Sequence, residues 1–121
     1  MEVLLDTSFI ISCIRKRIDF LTQLEEQGFR VIVPREVFEE MKDVRRKSSS
    51  SQIDRIAIDT ALEIFEHQKI KKIGLGTKNV DEGLIEKGKQ GYYIATLDRA
   101  IKHSVPKKIV IFDARKSVGV G

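Results

Sequence analysis

Four acidic residues carry the chemistry this sequence could do: Asp6, Glu40, Asp81 and Asp98. Asp6 follows the aliphatic run Val3-Leu4-Leu5 and precedes Thr7-Ser8; Asp98 follows Tyr92-Tyr93-Ile94-Ala95-Thr96 and Leu97. Each reads as an acid leaving the carboxyl end of a buried strand, the edge at which open parallel sheets bind ligands. Acids gathered in one cleft repel one another and take up protons unless a cation is present. Oxygen donors with no neighbouring Cys or His pair favour Mg2+ or Mn2+ over Zn2+. One or two such ions can orient a water, lower its pKa and stabilise charge on a phosphoryl oxygen during in-line displacement, so the implied chemistry is phosphodiester hydrolysis. Taken one at a time, each acid is better accounted for by a helix cap or a solvated face. The repeated strand-end pattern favours the set.

Other reactive groups offer less. Cys13 lies in the apolar run Phe9-Ile10-Ile11-Ser12-Cys13-Ile14 and reads as a buried structural thiol. His67 and His103 lack a sequence partner for triad or two-histidine chemistry and read as surface residues. Gly74-Leu75-Gly76-Thr77 is a turn, since the Gly-Lys-Ser/Thr element of a phosphate loop is missing. Asp54 and Asp59 fall on a solvated helix face, whereas Asp113, after the last predicted strand, could reach the margin of the cleft.

Elements must exist to hold these acids together. Apolar positions at Phe9, Ile10, Cys13 and Ile14, then Phe20, Leu21 and Leu24, predict one helix or two joined near Arg17 to Asp19. Gly28 ends that region. Phe29 to Val33 is the second strand, and Pro34 starts a helix reaching Arg46. On that helix the apolar stripe centres between Val37 and Met41. Glu40 lies about 90° from the centre, Glu36 about 130° and Glu39 about 170°. Glu40 therefore borders the packed face, with Glu36 as a helper and Glu39 in solvent. After four serines a longer helix, Gln52 to His67, buries Ile53, Ile56, Ala57, Ala61, Ile64 and Phe65. Lys69 to Gly74 holds a short third strand. Asn79 caps a helix running to about Lys87, with Asp81 and Glu82 in its first turn and Gly88 and Gly91 at its end. Strand four is followed by a short helix, Leu97 to Lys102, and Lys108 to Phe112 is strand five; the basic tail after Ala114 is expected to be loosely held. Strands alternating with helices predict an α/β fold, a mostly parallel five-stranded sheet covered on both faces.

A chain of 121 residues supports one compact domain. No apolar run approaches membrane-spanning length and no signal-peptide pattern opens the chain, so a cytoplasmic location is expected. Lys and Arg number 22 against 18 Asp and Glu, a net charge of +4. If four acids retreat into one site, the remaining surface is distinctly basic and suits a polyanion. Lys42, Arg45, Arg46 and Arg99 are candidates to hold its backbone.

The chain resembles the PIN domains. The likeness rests on Leu4-Leu5-Asp6-Thr7-Ser8, on Val33-Pro34 leading to Val37-Phe38-Glu39-Glu40-Met41, on Asn79-Val80-Asp81-Glu82-Gly83-Leu84-Ile85, and on Ile94-Ala95-Thr96-Leu97-Asp98. It implies a three-layer α/β/α fold and a Mg2+- or Mn2+-dependent ribonuclease centre. Catalytic and metal-binding roles then pass to Asp6, Glu40, Asp81 and Asp98, and supporting polar roles to Ser8 and Thr96. Where relatives often carry two Asp residues this chain has Asp81-Glu82, of which Asp81 is preferred. The Val-Asp-Glu-x-Leu-Ile and Ala-Thr-Leu-Asp-Arg-Ala-Ile-Lys segments look most like the branch that processes ribosomal RNA. The nuclease toxins of toxin–antitoxin pairs are the second branch, and a non-catalytic RNA-binding module is a third reading. The implied partners are RNA, a second copy of the chain, and either a pre-ribosomal particle or an antitoxin.

Overall fold

The structure, a computed structural model, describes residues 1–121. Its elements run β1 (Glu2–Leu5), α1 (Thr7–Arg15), α2 (Phe20–Glu26), β2 (Arg30–Pro34), α3 (Arg35–Arg46), α4 (Gln52–His67), β3 (Lys71–Ile73), α5 (Val80–Lys89), β4 (Tyr93–Ala95), α6 (Arg99–Ser104), β5 (Lys108–Phe112), a 3-10 turn (Asp113–Arg115) and β6 (Ser117–Val120). The strands form one sheet in the order β3-β2-β1-β4-β5-β6, with β1 to β5 parallel and β6 antiparallel to β5. The chain builds outward from β1 through β2 to β3, then crosses to the other side for β4. The strand order thus reverses between β1 and β4, and a crevice opens there at the carboxyl ends of the strands.

Alternation along the buried strands divides the core. Val3, Leu5, Val31 and Val33 join the larger apolar cluster with Phe9, Leu24, Val37, Met41, Ala61 and Phe65 from α1 to α4. Leu4, Ile32 and Ile94 point the other way, into a smaller cluster with Leu75, Leu84, Ile101 and Val105 around α5 and α6. Period-two side-chain direction requires this division, and it gives three layers, α/β/α. No helix is long and apolar enough to cross a membrane.

The sheet has six strands rather than five. The tail after Ala114, expected to be loose, turns through Lys116 at φ 47° and returns as β6, pairing Ile111 with Val118 and Val110 with Gly119. Its outer edge is covered by α2. The Gln27 side-chain amide donates to Val118 O at 2.8 Å, and Val118 N donates to Gln23 Oε1 at 2.8 Å. Two glutamines one helical turn apart thus supply the hydrogen bonds a seventh strand would have made, blunting an exposed edge.

The buried stripe of α4 is also rotated from expectation. Ala57, Ile58, Ala61 and Phe65 face inward, whereas Ile53 and Ile56 are 58% and 56% exposed. The helix packs against α1 and α3, and in its first turn the Asp54 carboxylate meets Arg15 of α1 at 3.5 Å.

Candidate active site

Asp6 is the N-cap of α1 and the first residue beyond β1, and it is only 6% exposed. Its backbone N–H donates to Ala95 O at 2.9 Å, which extends the β1–β4 ladder by one step and sets Asp6 beside Thr96. Every oxygen of its carboxylate is directed. Oδ1 accepts the Thr7 N–H at 2.8 Å, the ordinary capping bond of a helix start. Oδ2 accepts the Thr96 hydroxyl at 2.6 Å and the Ser8 hydroxyl at a longer 3.5 Å. Thr96 Oγ1 in turn accepts the Asp98 N–H at 3.1 Å, and Ser8 Oγ accepts the Leu97 N–H at 3.2 Å. The turn after β4 is therefore fastened to the turn after β1 by two hydroxyls.

Burial is the main force on the Asp6 carboxyl and pushes its pKa above the ordinary carboxylate value. The Thr96 hydroxyl and Thr7 N–H pull it back, while the negative charges of Glu40 and Asp81 push it up again. The charges of Glu40 on α3 and Asp81 on α5 thus both act on Asp6, at the junction of β1 and α1. Glu40 is half-buried at the border of the α3 packed face, beside buried Met41, as the helical wheel requires. Glu39 is exposed and meets Lys42 at 3.5 Å. Asp81 opens α5, which Asn79 caps by accepting the Glu82 N–H at 3.1 Å. Of the pair Asp81 and Glu82, Asp81 is the one whose charge reaches Asp6. Gly83 lets the first turn of α5 seat: a β-carbon there would lie 2.8 Å from Leu75 Cβ and 2.9 Å from Thr77 Oγ1.

Asp98 and Glu36 are committed elsewhere. Asp98 Oδ1 caps α6 by accepting the Ile101 N–H at 3.1 Å, and its link to Asp6 passes through Thr96. Both Glu36 oxygens accept the Leu75 N–H at 3.1 Å, so Glu36 anchors the loop after β3. Asp113, after β5, pairs with Lys16, and Asp59 pairs with Arg45 at 2.6 Å. Sequence reasoning passed over the Thr7 and Leu97 backbone donors, for which the hydroxyl residues flanking each strand end were the available signal.

The acids fit a hard divalent cation by their chemistry. All offer oxygen, a buried carboxylate faces two like charges, and none of Asp6, Glu40, Asp81 and Asp98 takes part in any ion pair of the chain. No three acidic, histidine or cysteine side chains already enclose a common point at which an ion would sit. Asp6 is held in place by Thr96 and Thr7.

A PIN-domain family model matches residues 3–111. The chain belongs to the PIN-domain family. Among solved structures it is similar to the PIN domain endonuclease Utp24, with a TM-score of 0.74 and 18% identity over 98% of this chain and 90% of that one. That likeness is one of fold. Comparison with curated proteins gives no match. The resemblance carried by the four motifs is thus borne out, as is the α/β sandwich it implied. In this PIN domain Asp6 and the Leu97–Asp98 turn meet at the β1–β4 switch point, on the carboxyl edge of the sheet.

Proposed function

We propose that this PIN domain is a Mg2+- or Mn2+-dependent endoribonuclease acting in the processing of ribosomal RNA. The observation that carries the reading is the Asp6 carboxylate: buried, oriented by Thr96 and Thr7, opposed by Glu40 and Asp81, and left without a basic partner. Such a group is costly in a metal-free fold and useful when a cation joins it. Asp6, Glu40, Asp81 and the unengaged Oδ2 of Asp98 would hold the ion. When bound, it would supply the positive charge that lets these acids remain ionised and that stabilises charge developing on a phosphoryl oxygen.

The chain's own groups do the rest. The Thr96 hydroxyl, with its proton on Asp6, fixes the carboxylate plane. Ser8 and Thr96 keep the Leu97–Asp98 turn against the site, so Asp98 cannot drift away while it caps α6. The role in ribosomal RNA is supported by the Val80-to-Ile85 and Ala95-to-Lys102 segments, and the endonuclease reading by the fold-level likeness to the endonuclease Utp24.

The test is cleavage of single-stranded RNA with Mn2+, with EDTA, and with Asp6→Asn. Loss of cleavage in EDTA and in the variant is expected. Equal cleavage by wild type and Asp6→Asn would sink the reading.

A further inference from the structure

We propose that the RNA enters as a single strand along α1, over the carboxyl edge of the sheet from β1 across β4 to β5, and not over the basic end of α3. The proposal rests on the nuclease reading and adds to it the path of the RNA strand over the surface.

Two depressions carry it. The first, about 540 Å³, begins at Ser8 and Leu97 beside the buried Asp6 and continues over Ile11, Ser12, Arg15 and Lys16. The second, about 450 Å³, shares Arg15 and Lys16 and ends at Arg17, Asp113 and Lys116. They are contiguous. Ser8, Ser12 and Arg15 are spaced four and three residues apart, so they line one face of α1. From Ser8 to Lys16 the helix rises about 12 Å, room for roughly three stacked nucleotides at about 3.4 Å each.

The charge is graded along this path. Its start abuts the acids; its far end gathers Arg15, Lys16, Arg17 and Lys116 against Asp54 and Asp113. Arg17 and Lys116 have no carboxylate partner, and both adopt left-handed backbone, at φ 57° and 47°. A side chain other than Gly or Asn in that region costs about 1–2 kcal/mol. Both turns carry unpaired cations that face one depression, at positions glycine would occupy without strain; Lys69, at φ 51°, makes a third such turn on another face, so it is the shared depression and not the strain that marks the path. Arg15 and Lys16 are paired with Asp54 and Asp113, which leaves Arg17 and Lys116 free on the path, whereas on α3 all three of Lys42, Arg45 and Arg46 are matched, with Glu39, Asp59 and Asp43. The floor near the site is apolar, with Leu97 38% exposed and Ile11 half-buried. Bases turned inward can lie on it, whereas a duplex keeps its bases stacked inside and presents phosphates alone.

The glycine preference of both turns gives a test in which loss of fold is not confounding. Arg17→Gly combined with Lys116→Gly removes two charges and relieves strain, so its melting temperature should equal or exceed wild type. Binding to a fluorescent oligouridine in EDTA should fall about tenfold at physiological salt, and the slope of log K against log salt should shrink by about 1.4. An RNA duplex of equal length should bind more weakly than the single strand and lose less in the variant. Lys42→Gln with Arg46→Gln should leave oligouridine binding unchanged. If the α3 pair weakens binding and the glycine pair does not, or if duplex and single strand respond alike, the path is wrong. Mn2+-dependent cleavage of the same oligonucleotide separates the two ideas: unchanged binding with cleavage abolished by Asp6→Asn rejects the path alone, whereas weakened binding without any cleavage by wild type rejects the nuclease reading alone.

Discussion

The Thr96 hydroxyl stands 2.6 Å from Asp6 Oδ2, joining residues 90 positions apart in the chain at the point where the sheet changes direction. This bond is the link between the fold and its chemistry, because it fixes the one acid that the surrounding protein has removed from water.

Replacing that hydroxyl tests its weight. Thr96→Val leaves Asp6 Oδ2 with only the long Ser8 contact and should destabilise the protein by about 1–3 kcal/mol in urea denaturation. Thr96→Ser should retain most of the stability. Without the Thr96 proton the Asp6 pKa should also rise further, so Mn2+ should bind the valine variant more weakly near neutral pH.

The pH dependence has a definite sign. Burial holds the Asp6 pKa above its unfolded value of 3.8, so above that pH the folded state binds more protons than the unfolded state. The Asp6 contribution to metal-free stability is therefore most favourable at low pH and declines as pH rises from about 4 through the folded pKa. Asp6→Asn should flatten that decline and raise the metal-free melting temperature at pH 7. In wild type, Mn2+ competes with the proton, so its affinity should increase over the same interval.

Cys13 should be silent. It lies on the buried face of α1, and burial pushes its thiol up to about 12. At pH 8 a thiol reagent should modify it only when the chain opens, at a rate that tracks unfolding in urea. Rapid modification of the native protein would contradict the packing around α1.

The smaller core layer should be unforgiving. A β-carbon at Gly88 would lie 2.5 Å from Val105 Cγ1 and 2.9 Å from its Cβ. Gly88→Ala should cost about 1–3 kcal/mol by overpacking. Val105→Ala in the same chain should recover part of that loss, which a double-mutant cycle of unfolding free energies measures.

Much of this was legible because the signals are local. Aliphatic runs followed by an acid and hydroxyls located β1 and β4, and the helical wheel set Glu40 and Glu36 apart from Glu39, which alone of the three is exposed. The break at Arg17 between two helices was also within reach. What failed depends on partners distant in sequence. β6 exists because β5 had an open edge and Gln23 and Gln27 were available to cover it, and neither fact is visible in Ser117 to Val120. Ile53 and Ile56 carry the right spacing, but α4 turns Ala57, Ile58, Ala61 and Phe65 inward and leaves those two exposed. Gly88 reads as a helix stop, yet α5 runs through it to Lys89 and the left-handed turn falls at Gly91, φ 106°. The roles of Glu36 and Asp98 as anchor and cap follow from nearby N–H groups that compete for the same carboxylates.

Calorimetric titration of Mn2+ into the metal-free protein at pH 7 tests the centre of this account most directly. Wild type should bind with a measurable heat, and Asp6→Asn and Asp81→Asn should bind at least tenfold more weakly while remaining folded. Equal binding by wild type and Asp6→Asn, or none by either, would contradict it.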